Sequence, residues 1–209
     1  MPALILVDIQ YDFLPGGALA VPDGDAVIAV ANRLIEHFPM VLATQDWHPA
    51  DHLSFASQHD GRRVGESIEL GGVPQTLWPV HCVQNTPGAA FSDKLQTSRI
   101  RNVFQKGTDR EIDSYSGFFD NGQRRSTGMG GFLKDLGIGE VYIMGLATDY
   151  CVKFTALDAV ALGLETHVIE DGCRGVDLIP SDSQDALAEM QAAGVHLVSS
   201  RDINLARLT

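Results

Sequence analysis

Residues Val141–Cys151, with the sequence VYIMGLATDYC, decide how this chain folds. An apolar run, Val141–Met144, ends at Gly145, and a segment of helical composition begins immediately afterwards. A buried strand that passes straight into a helix is half of a βαβ unit, the repeating element of parallel sheets. A lone cysteine, Cys151, lies where the strand gives way to the helix.

Short apolar runs alternate with helical patterns along the rest of the chain. The predicted strands are Ala3–Val7, Met40–Thr44, Asn102–Gln105, Val141–Met144, Thr166–Glu170 and Val195–Ser199. The predicted helices are about Ala26–Phe38, a buried helix at Cys151–Leu162, one that opens at Pro180 and stops at Gly194, and a short one near Ile203–Arg207. This order predicts an α/β fold, a three-layer sandwich in which helices flank a mostly parallel six-stranded sheet.

The region from about residue 46 to residue 101 departs from this alternation. It is rich in glycine, proline and histidine and has no long periodic segment. Long irregular segments inside a compact domain are usually functional when they are not disordered, and the aromatic and histidine content argues against disorder. No linker or repeat divides the 209 residues, so we expect a single domain over residues 1–209.

The composition excludes several classes of protein. A net charge of −12 offers no basic surface for phosphate contacts, so we expect no nucleic-acid partner. Three cysteines without a regular spacing argue against a disulfide-stapled secreted domain. The apolar run near the N-terminus is too short for a signal-peptide core, and no run approaches the ~20 apolar residues that span a bilayer. We therefore expect a cytoplasmic protein without a membrane partner.

Cys151 is a candidate nucleophile because of its position at the predicted start of a helix. Unpaired N–H groups and a partial positive charge at a helix N-terminus favour loss of the thiol proton, and the same groups can hold an oxyanion. The alternative is that Cys151 is one more buried small apolar side chain, since free cysteine is among the most buried residue types.

Four polar residues stand at or just after the ends of predicted strands: Asp8, Asp46, Lys106 and Cys151. A parallel α/β sheet places its ligands at the carboxyl ends of its strands. A cysteine nucleophile needs a base and a neighbouring cation, which Asp8 and Lys106 supply in this reading. The alternative is an Asp–Lys ion pair beside an inert thiol.

Asp46-Trp47-His48, followed by His52 and later by His81, has the composition of a metal site. Carboxylate and imidazole ligands together suit Zn, Mn or Fe rather than Ca or Mg. An Asp-x-His pair in extended chain points both side chains the same way. His52 is also compatible with a surface position or with a supporting role behind a ligand.

Three aromatic residues, Phe13, Trp78 and Tyr115, lie in loop-like surroundings, and with Leu19 they are the candidate walls of a small-molecule pocket. Each of them alone is more often a packing residue. His59 follows a loop-like sequence and is predicted to be exposed to solvent.

The same residues carry a resemblance to a known family. The matching segments are Val7–Phe13, Asp46–His52, Trp78–Val83, Phe104–Gly107, Asp113–Phe118, Gly145–Val152 and Asp171–Gly175. Together they resemble the nicotinamidase/pyrazinamidase family of the isochorismatase-like hydrolases, nearly from end to end. The resemblance implies the isochorismatase-like hydrolase fold.

The resemblance also implies a catalytic set. Asp8 is the proton acceptor, Lys106 its charged partner and Cys151 the nucleophile. The family has a cis peptide just before the residue that matches Ala147, which aims the N–H groups of Ala147 and Cys151 into an oxyanion hole.

A metal site is implied as well. Asp46, His48 and His81 match the family's ligands for one divalent ion, generally Zn, with Fe or Mn also accepted. Some members add a further histidine or acid. His52 is the nearest candidate here, but its spacing differs from theirs.

The implied activity is hydrolysis of nicotinamide to nicotinate and ammonia through a Cys151 thioester, in NAD salvage, with pyrazinamide as a further substrate. The substrate ring would lie between Phe13 and Trp78, and the protein would be a monomer or homodimer. One alternative is a sister amidase for N-carbamoyl or ureido amides, which does not need the metal cluster. From another class, a non-catalytic doubly wound binding protein would want a Ser/Thr/Gly-rich first loop, whereas Asp8-Ile9-Gln10-Tyr11-Asp12 follows the first strand.

Overall fold

The computed structural model describes residues 1–208 and contains a six-stranded, fully parallel sheet. The sheet strands are β1 (Ala3–Val7), β2 (Met40–Asp46), β5 (Asn102–Lys106), β6 (Glu140–Leu146), β7 (Glu165–Arg174) and β8 (His196–Val198). They lie in the order β5–β2–β1–β6–β7–β8. The α-helices are α1 (Ala26–Ile35), α2 (Met129–Asp135), α3 (Lys153–Ala161) and α4 (Asp182–Ala192). The predicted α/β architecture is confirmed.

The central strand β1 explains why the sheet is parallel and covered on both faces. All five of its residues are buried, and they are apolar without alternation, as expected of a strand with helices on each side. Helix α1 packs one face toward this core through residues at helical spacing. Those buried residues are Val27, Ile28, Ala31, Leu34 and Ile35.

The strand order places a crevice beside β1. From β1 the chain moves outward through β2 to β5, and it then returns to pair β6 with the other side of β1. The chain segments that leave the carboxyl ends of β1 and β6 therefore run in opposite directions along the sheet. Open α/β sheets bind ligands in the crevice between two such segments. Asp8 and Cys151 both follow strands that border this crevice.

Most strands extend further than predicted at their carboxyl ends. Strand β2 includes Asp46, β5 ends on Lys106, β6 continues to Leu146 and β7 to Arg174. The prediction stopped where the apolar run stopped, but Asp46 and Lys106 remain paired with each other in the ladder. Both side chains are buried, so a polar residue does not mark the point where these strands meet water.

The segment after β6 differs from the predicted buried helix over residues 151–162. Thr148–Val152 forms a π-helical turn, and the α-helix itself begins at Lys153. The burial prediction is wrong for this helix, because Phe154 is 37% exposed and Leu162 is 45% exposed. Apolar composition alone did not reveal that one side of α3 faces outward.

The irregular middle region contains structure that the sequence did not predict. Two short strands, β3 (Ser67–Leu70) and β4 (Val73–Thr76), form an antiparallel hairpin.

Helix α2 was not predicted either, since its seven residues include two glycines and follow Gly128. Helix α1 ends at Ile35 rather than at Phe38. Among residues 1–208, no helix has the length and apolar character to cross a membrane.

Candidate active site

Lys106 lies at the centre of a buried polar cluster formed by the ends of four strands. Its Nζ is 2.9 Å from Asp8 Oδ2, 3.0 Å from Asp46 Oδ1 and 3.4 Å from Cys151 Sγ. The ammonium also donates to the Ser114 carbonyl at 2.9 Å. The structure thus brings together the three residues that the sequence proposed as a catalytic set, with the fourth strand-end residue, Asp46, beside them.

The backbone at Asp8 turns the carboxylate into this cluster. Asp8 has φ of +49°, a left-handed conformation that aspartate tolerates better than most residues, and β1 ends at this point. The Thr44 hydroxyl donates to Asp8 Oδ1 at 2.6 Å, while the Asp8 N–H donates to the same hydroxyl oxygen at 3.2 Å. One carboxylate oxygen is therefore held by Thr44 and the other by Lys106.

Burial and charge set the protonation of this cluster. Burial, together with the neighbouring Asp46 charge, raises the pKa of Asp8 despite the opposing effect of Lys106. Burial would lower the pKa of Lys106, but the charges of Asp46 and Asp8 outweigh it and raise that pKa well above its ordinary value. Lys106 is therefore an ammonium, and Asp8 is a stronger base than a solvated aspartate.

The thiol of Cys151 does not have the easily lost proton that its position suggested. Burial raises the pKa of Cys151 well above its ordinary value, and the Lys106 charge only partly opposes this. The side chain resides in the π-helical turn ahead of α3 rather than at a regular helix start. The local pattern was therefore a poor guide to acidity, and nucleophilic attack requires a base that removes the proton as the bond forms.

Asp46, His48 and His81 present ligand atoms that lie within 4.8 Å of one another, all in buried side chains. Asp46 Oδ2 is 2.9 Å from His48 Nε2 and 3.3 Å from His81 Nε2. Burial alone would raise the pKa of Asp46, yet His48 and Lys106 hold it well below its ordinary value. The carboxylate is thus ionised and ready to bind a cation.

Carbonyl oxygens fix the ring orientation of both histidines. His48 Nδ1 lies 2.8 Å from the Gly107 carbonyl, and His81 Nδ1 lies 2.8 Å from the Pro79 carbonyl. A carbonyl accepts only from a protonated nitrogen, so each Nδ1 carries a hydrogen and each Nε2 is the atom that can act as a ligand. The Asp46 charge outweighs burial and raises the pKa of His48 to about 9, so His48 Nε2 also donates a hydrogen to Asp46 Oδ2, and a metal bound there would replace that hydrogen. This backing by carbonyl groups is typical of metal-binding histidines. The donor set fits a divalent transition metal.

His52 lies next to this cluster without belonging to it. Its ring is buried and lies tilted against the ring of His48, with ring centroids 4.4 Å apart. Its Nδ1 accepts the Ser54 N–H at 3.1 Å and lies 2.7 Å from the Ser54 hydroxyl, while Nε2 faces the Ile112 carbonyl at 3.4 Å. Both nitrogens therefore have partners other than Asp46, and His52 also presents a ligand atom within 4.8 Å of ligand atoms of His48 and Asp113.

A cavity opens over the sulfur of Cys151. Its volume is about 30 Å³, so it is a narrow space. All four pocket residues named from the sequence line it, as do two of the metal-type residues and both residues proposed for the oxyanion hole. The lining residues are Phe13, Leu19, Asp46, Trp78, His81, Asp113, Tyr115, Ala147, Tyr150, Cys151 and Val176.

The aromatic walls of this cavity are held together by hydrogen bonds. The Trp78 indole N–H donates to the Tyr115 hydroxyl at 3.1 Å, and Gln75 donates to the same hydroxyl at 3.0 Å. The Tyr150 ring packs edge-on against Trp78, with ring centroids 4.8 Å apart. On another side of the cavity, the Phe13 ring contacts His81 at 5.5 Å.

Three residues of the lining were not predicted: Asp113, Tyr150 and Val176. Tyr150 precedes Cys151, so an aromatic side chain beside a candidate nucleophile was the signal available in the sequence. Val176 comes from the loop after β7, and no local pattern distinguishes it.

The prediction for His59 is wrong, because its ring is half-buried and lies 2.7 Å from the Leu53 carbonyl.

The peptide between Leu146 and Ala147 is cis, as the resemblance implied.

A family model described as an isochorismatase domain matches residues 2–202. The chain belongs to the isochorismatase family. The nicotinamidase of Escherichia coli is 54% identical to it over 204 residues, which cover 96% of this chain and 95% of that enzyme. The predicted resemblance to nicotinamidases is confirmed.

Solved structures of the isochorismatase family agree with this assignment. A nicotinamidase/pyrazinamidase of Acinetobacter baumannii superimposes with a TM-score of 0.94 at 46% identity, covering 96% of this chain and 97% of that one. The pyrazinamidase of Pyrococcus horikoshii, solved in complex with zinc, gives a TM-score of 0.77 at 39% identity, covering 95% of this chain and 98% of that one.

Proposed function

We propose that this protein hydrolyses nicotinamide to nicotinate and ammonia, with Cys151 as nucleophile, Asp8 as general base and acid, and Lys106 as the cation that stabilises negative charge beside them. One observation supports this most strongly. The sulfur of Cys151 lines a cavity that also exposes Asp46 and His81, and the Lys106 ammonium behind it contacts both the sulfur and the Asp8 carboxylate. A thiol for acyl transfer and a metal-type cluster thus face the same small-molecule space.

Acylation begins with transfer of the Cys151 proton to Asp8. The sulfur lone pair forms a bond to the amide carbon, and the carbonyl electron pair moves onto oxygen. When the tetrahedral intermediate collapses, the C–N bond breaks and Asp8 returns its proton to the leaving nitrogen, which departs as ammonia. A nicotinoyl thioester remains on Cys151.

Hydrolysis of the thioester repeats the sequence with water. Asp8 takes a proton from water as the oxygen attacks the acyl carbon, and the S–C bond then breaks. The departing sulfur recovers that proton from Asp8, which releases nicotinic acid. Lys106 contacts Asp8 and the sulfur throughout, so it stabilises both the carboxylate and the developing thiolate.

The N–H groups of Ala147 and Cys151 are the proposed oxyanion hole. Ala147 is extended at the end of β6, and both residues line the cavity. Backbone donors aimed at the carbonyl oxygen stabilise the charge that develops there, and loss of one such donor typically costs ~100- to 1,000-fold in rate.

Asp46, His48 and His81 are the proposed metal ligands, and zinc is the proposed metal, since the P. horikoshii relative was solved with zinc. When bound, such an ion supplies a Lewis-acidic position for the pyridine nitrogen of the substrate. Phe13 and Trp78 flank the substrate ring in this proposal. Pyrazinamide, a ring of the same size with a second nitrogen, is a further proposed substrate.

The reaction belongs to NAD salvage, and we place the protein in the cytoplasm. The three cysteines are free thiols in the structure, which accords with a reducing compartment.

The direct test of this function is ammonia release, measured with nicotinamide, pyrazinamide and an N-carbamoyl amide. We expect equal amounts of ammonia and nicotinate from nicotinamide, release from pyrazinamide, and none from the N-carbamoyl amide. Dialysis against a chelator should lower the rate, and added Zn²⁺ should restore it. Ammonia from the N-carbamoyl amide but not from nicotinamide would assign the protein to the sister amidases instead.

The pH dependence of the reaction should report on Asp8. Because Asp8 must be ionised to accept the thiol proton, kcat/KM falls as pH drops through its pKa. The hydrogen bond from Thr44 lowers that pKa, so Thr44→Val should move the acidic limb to higher pH. A pH–rate profile of both proteins measures this. An acidic limb at the same pH in both would show that Asp8 is not the group that titrates.

A further inference from the structure

The backbone of Asp46 has no paired strand on the β1 side of the sheet. The ladder between β1 and β2 runs from Ala3 paired with Met40 to Leu6 paired with Ala43. Beyond this, β1 ends at Val7 and the chain turns away at Asp8, while β2 continues to Asp46. The last residues of β2 therefore have no β1 backbone to bond to.

The side chain of Gln10 fills this gap. Its Oε1 accepts the Asp46 N–H at 2.8 Å, and its Nε2 donates to the Asp46 carbonyl at 2.8 Å. On the other side of β2, β5 pairs through the next residue, since the Trp47 N–H donates to the Lys106 carbonyl at 2.9 Å. The carboxamide thus satisfies both backbone groups of Asp46, as a strand residue would.

Gln10 is itself fixed in place. It is fully buried, and its Nε2 makes a second bond of 2.8 Å to the Ala89 carbonyl. The carboxamide therefore has one orientation, set by three hydrogen bonds of equal length. The carboxamide thus links the 87–89 turn to the end of β2.

A small displacement of the Asp46 carboxylate would affect several contacts of the site. Its Oδ1 contacts Lys106, and its Oδ2 faces the Nε2 atoms of His48 and His81. A rotation of the Asp46 backbone would change all three contacts together. We propose that Gln10 is a positioning residue that sets the Asp46 carboxylate for binding of a divalent metal. This rests on the proposed function in that it takes Asp46, His48 and His81 as the ligands.

The experiment measures the dissociation constant for Zn²⁺ by competition with a chromophoric chelator, in wild type, Gln10→Met and Gln10→Glu. Methionine keeps the length of the side chain and removes all three hydrogen bonds. We expect it to weaken Zn²⁺ binding by about 10- to 100-fold, the range for groups that orient a metal ligand. Glutamate retains an acceptor for the Asp46 N–H but turns a carboxylate oxygen toward the Asp46 and Ala89 carbonyls, so we expect a loss at least as large as for methionine. Excess Zn²⁺ should restore the kcat of Gln10→Met, which a merely unfolded protein would not allow.

The matched control is Gln45→Met. Gln45 is also buried and donates to the same Ala89 carbonyl at 3.0 Å, but it makes no hydrogen bond to Asp46. Zn²⁺ affinity should stay at the wild-type value in this variant. His48→Ala provides the reference for a lost ligand.

The outcomes separate the positioning role from the proposed function. Wild-type affinity in Gln10→Met, with binding abolished in His48→Ala, would overturn the role of Gln10 and leave the metal site standing. Equal losses in Gln10→Met and Gln45→Met would also overturn it, because the effect would then come from the shared turn. Failure of the wild-type protein to bind Zn²⁺ would overturn the metal assignment itself, and with it the role of Gln10.

Discussion

Cys151→Ala is expected to lower kcat/KM for nicotinamide on the order of 10⁶-fold, the size of loss found when a nucleophile is removed. The sulfur is the only protein atom in the proposed mechanism that bonds to the substrate carbon, so the remaining side chains cannot replace it. The fold should survive, because the change deletes one buried sulfur and costs roughly 1 kcal/mol of unfolding free energy. Rates come from ammonia release and stability from denaturant unfolding.

The matched control for this change is Cys173→Ala. Cys173 is also a buried free thiol, and burial raises its pKa to about 12, but it does not line the cavity. Its removal should leave kcat/KM near the wild-type value. Substantial amidase activity in folded Cys151→Ala would rule out nucleophilic catalysis by this residue.

Asp8→Asn is expected to lower kcat/KM by about 10²- to 10⁴-fold, the usual contribution of a positioned general acid–base. The amide has the shape of the carboxylate but cannot take the proton of Cys151, whose pKa is raised by burial. Lys106 keeps its ion pair with Asp46, so the buried ammonium is not left alone. Steady-state kinetics measure the loss, and circular dichroism checks the fold.

Asp171→Asn serves as the control for Asp8→Asn. Asp171 lies on β7 and accepts hydrogen bonds from the Ser200 backbone and hydroxyl, away from the cavity. It should keep wild-type kinetics. A rate for Asp8→Asn equal to that of Asp171→Asn would mean that the thiol proton leaves by another route.

The gathering of Asp8, Asp46, Lys106 and Cys151 was predictable because parallel strands all point the same way. Four chain-distant residues at or just after the ends of parallel strands lie at one edge of the sheet, whatever the loops between them do. The strands of the sheet could be located in the sequence from their apolar runs. Their carboxyl-terminal bounds did not follow, because Asp46 and Lys106 are polar residues that remain inside the ladder and are buried against each other.

Properties that arise only from tertiary packing could not be predicted from the sequence. The acidity of Cys151 was inferred from a helix start, whereas burial beside Asp8 and Asp46 raises its pKa. The hairpin β3–β4 brings Gln75 to the Tyr115 hydroxyl across 40 positions of sequence, and no periodic pattern marks either residue. The role of Gln10 likewise depends on where β1 leaves the sheet.

The central claim is a covalent bond between Cys151 and the acyl group of the substrate, and rapid acid quenching during turnover of nicotinamide tests it most directly. Mass spectrometry of the quenched protein, followed by peptide mapping, locates any adduct. The proposed mechanism predicts a nicotinoyl group on the peptide that contains Cys151, appearing before steady state. A nicotinoyl group on Cys82 or Cys173, or full turnover with Cys151 unmodified at every quench time, would contradict it.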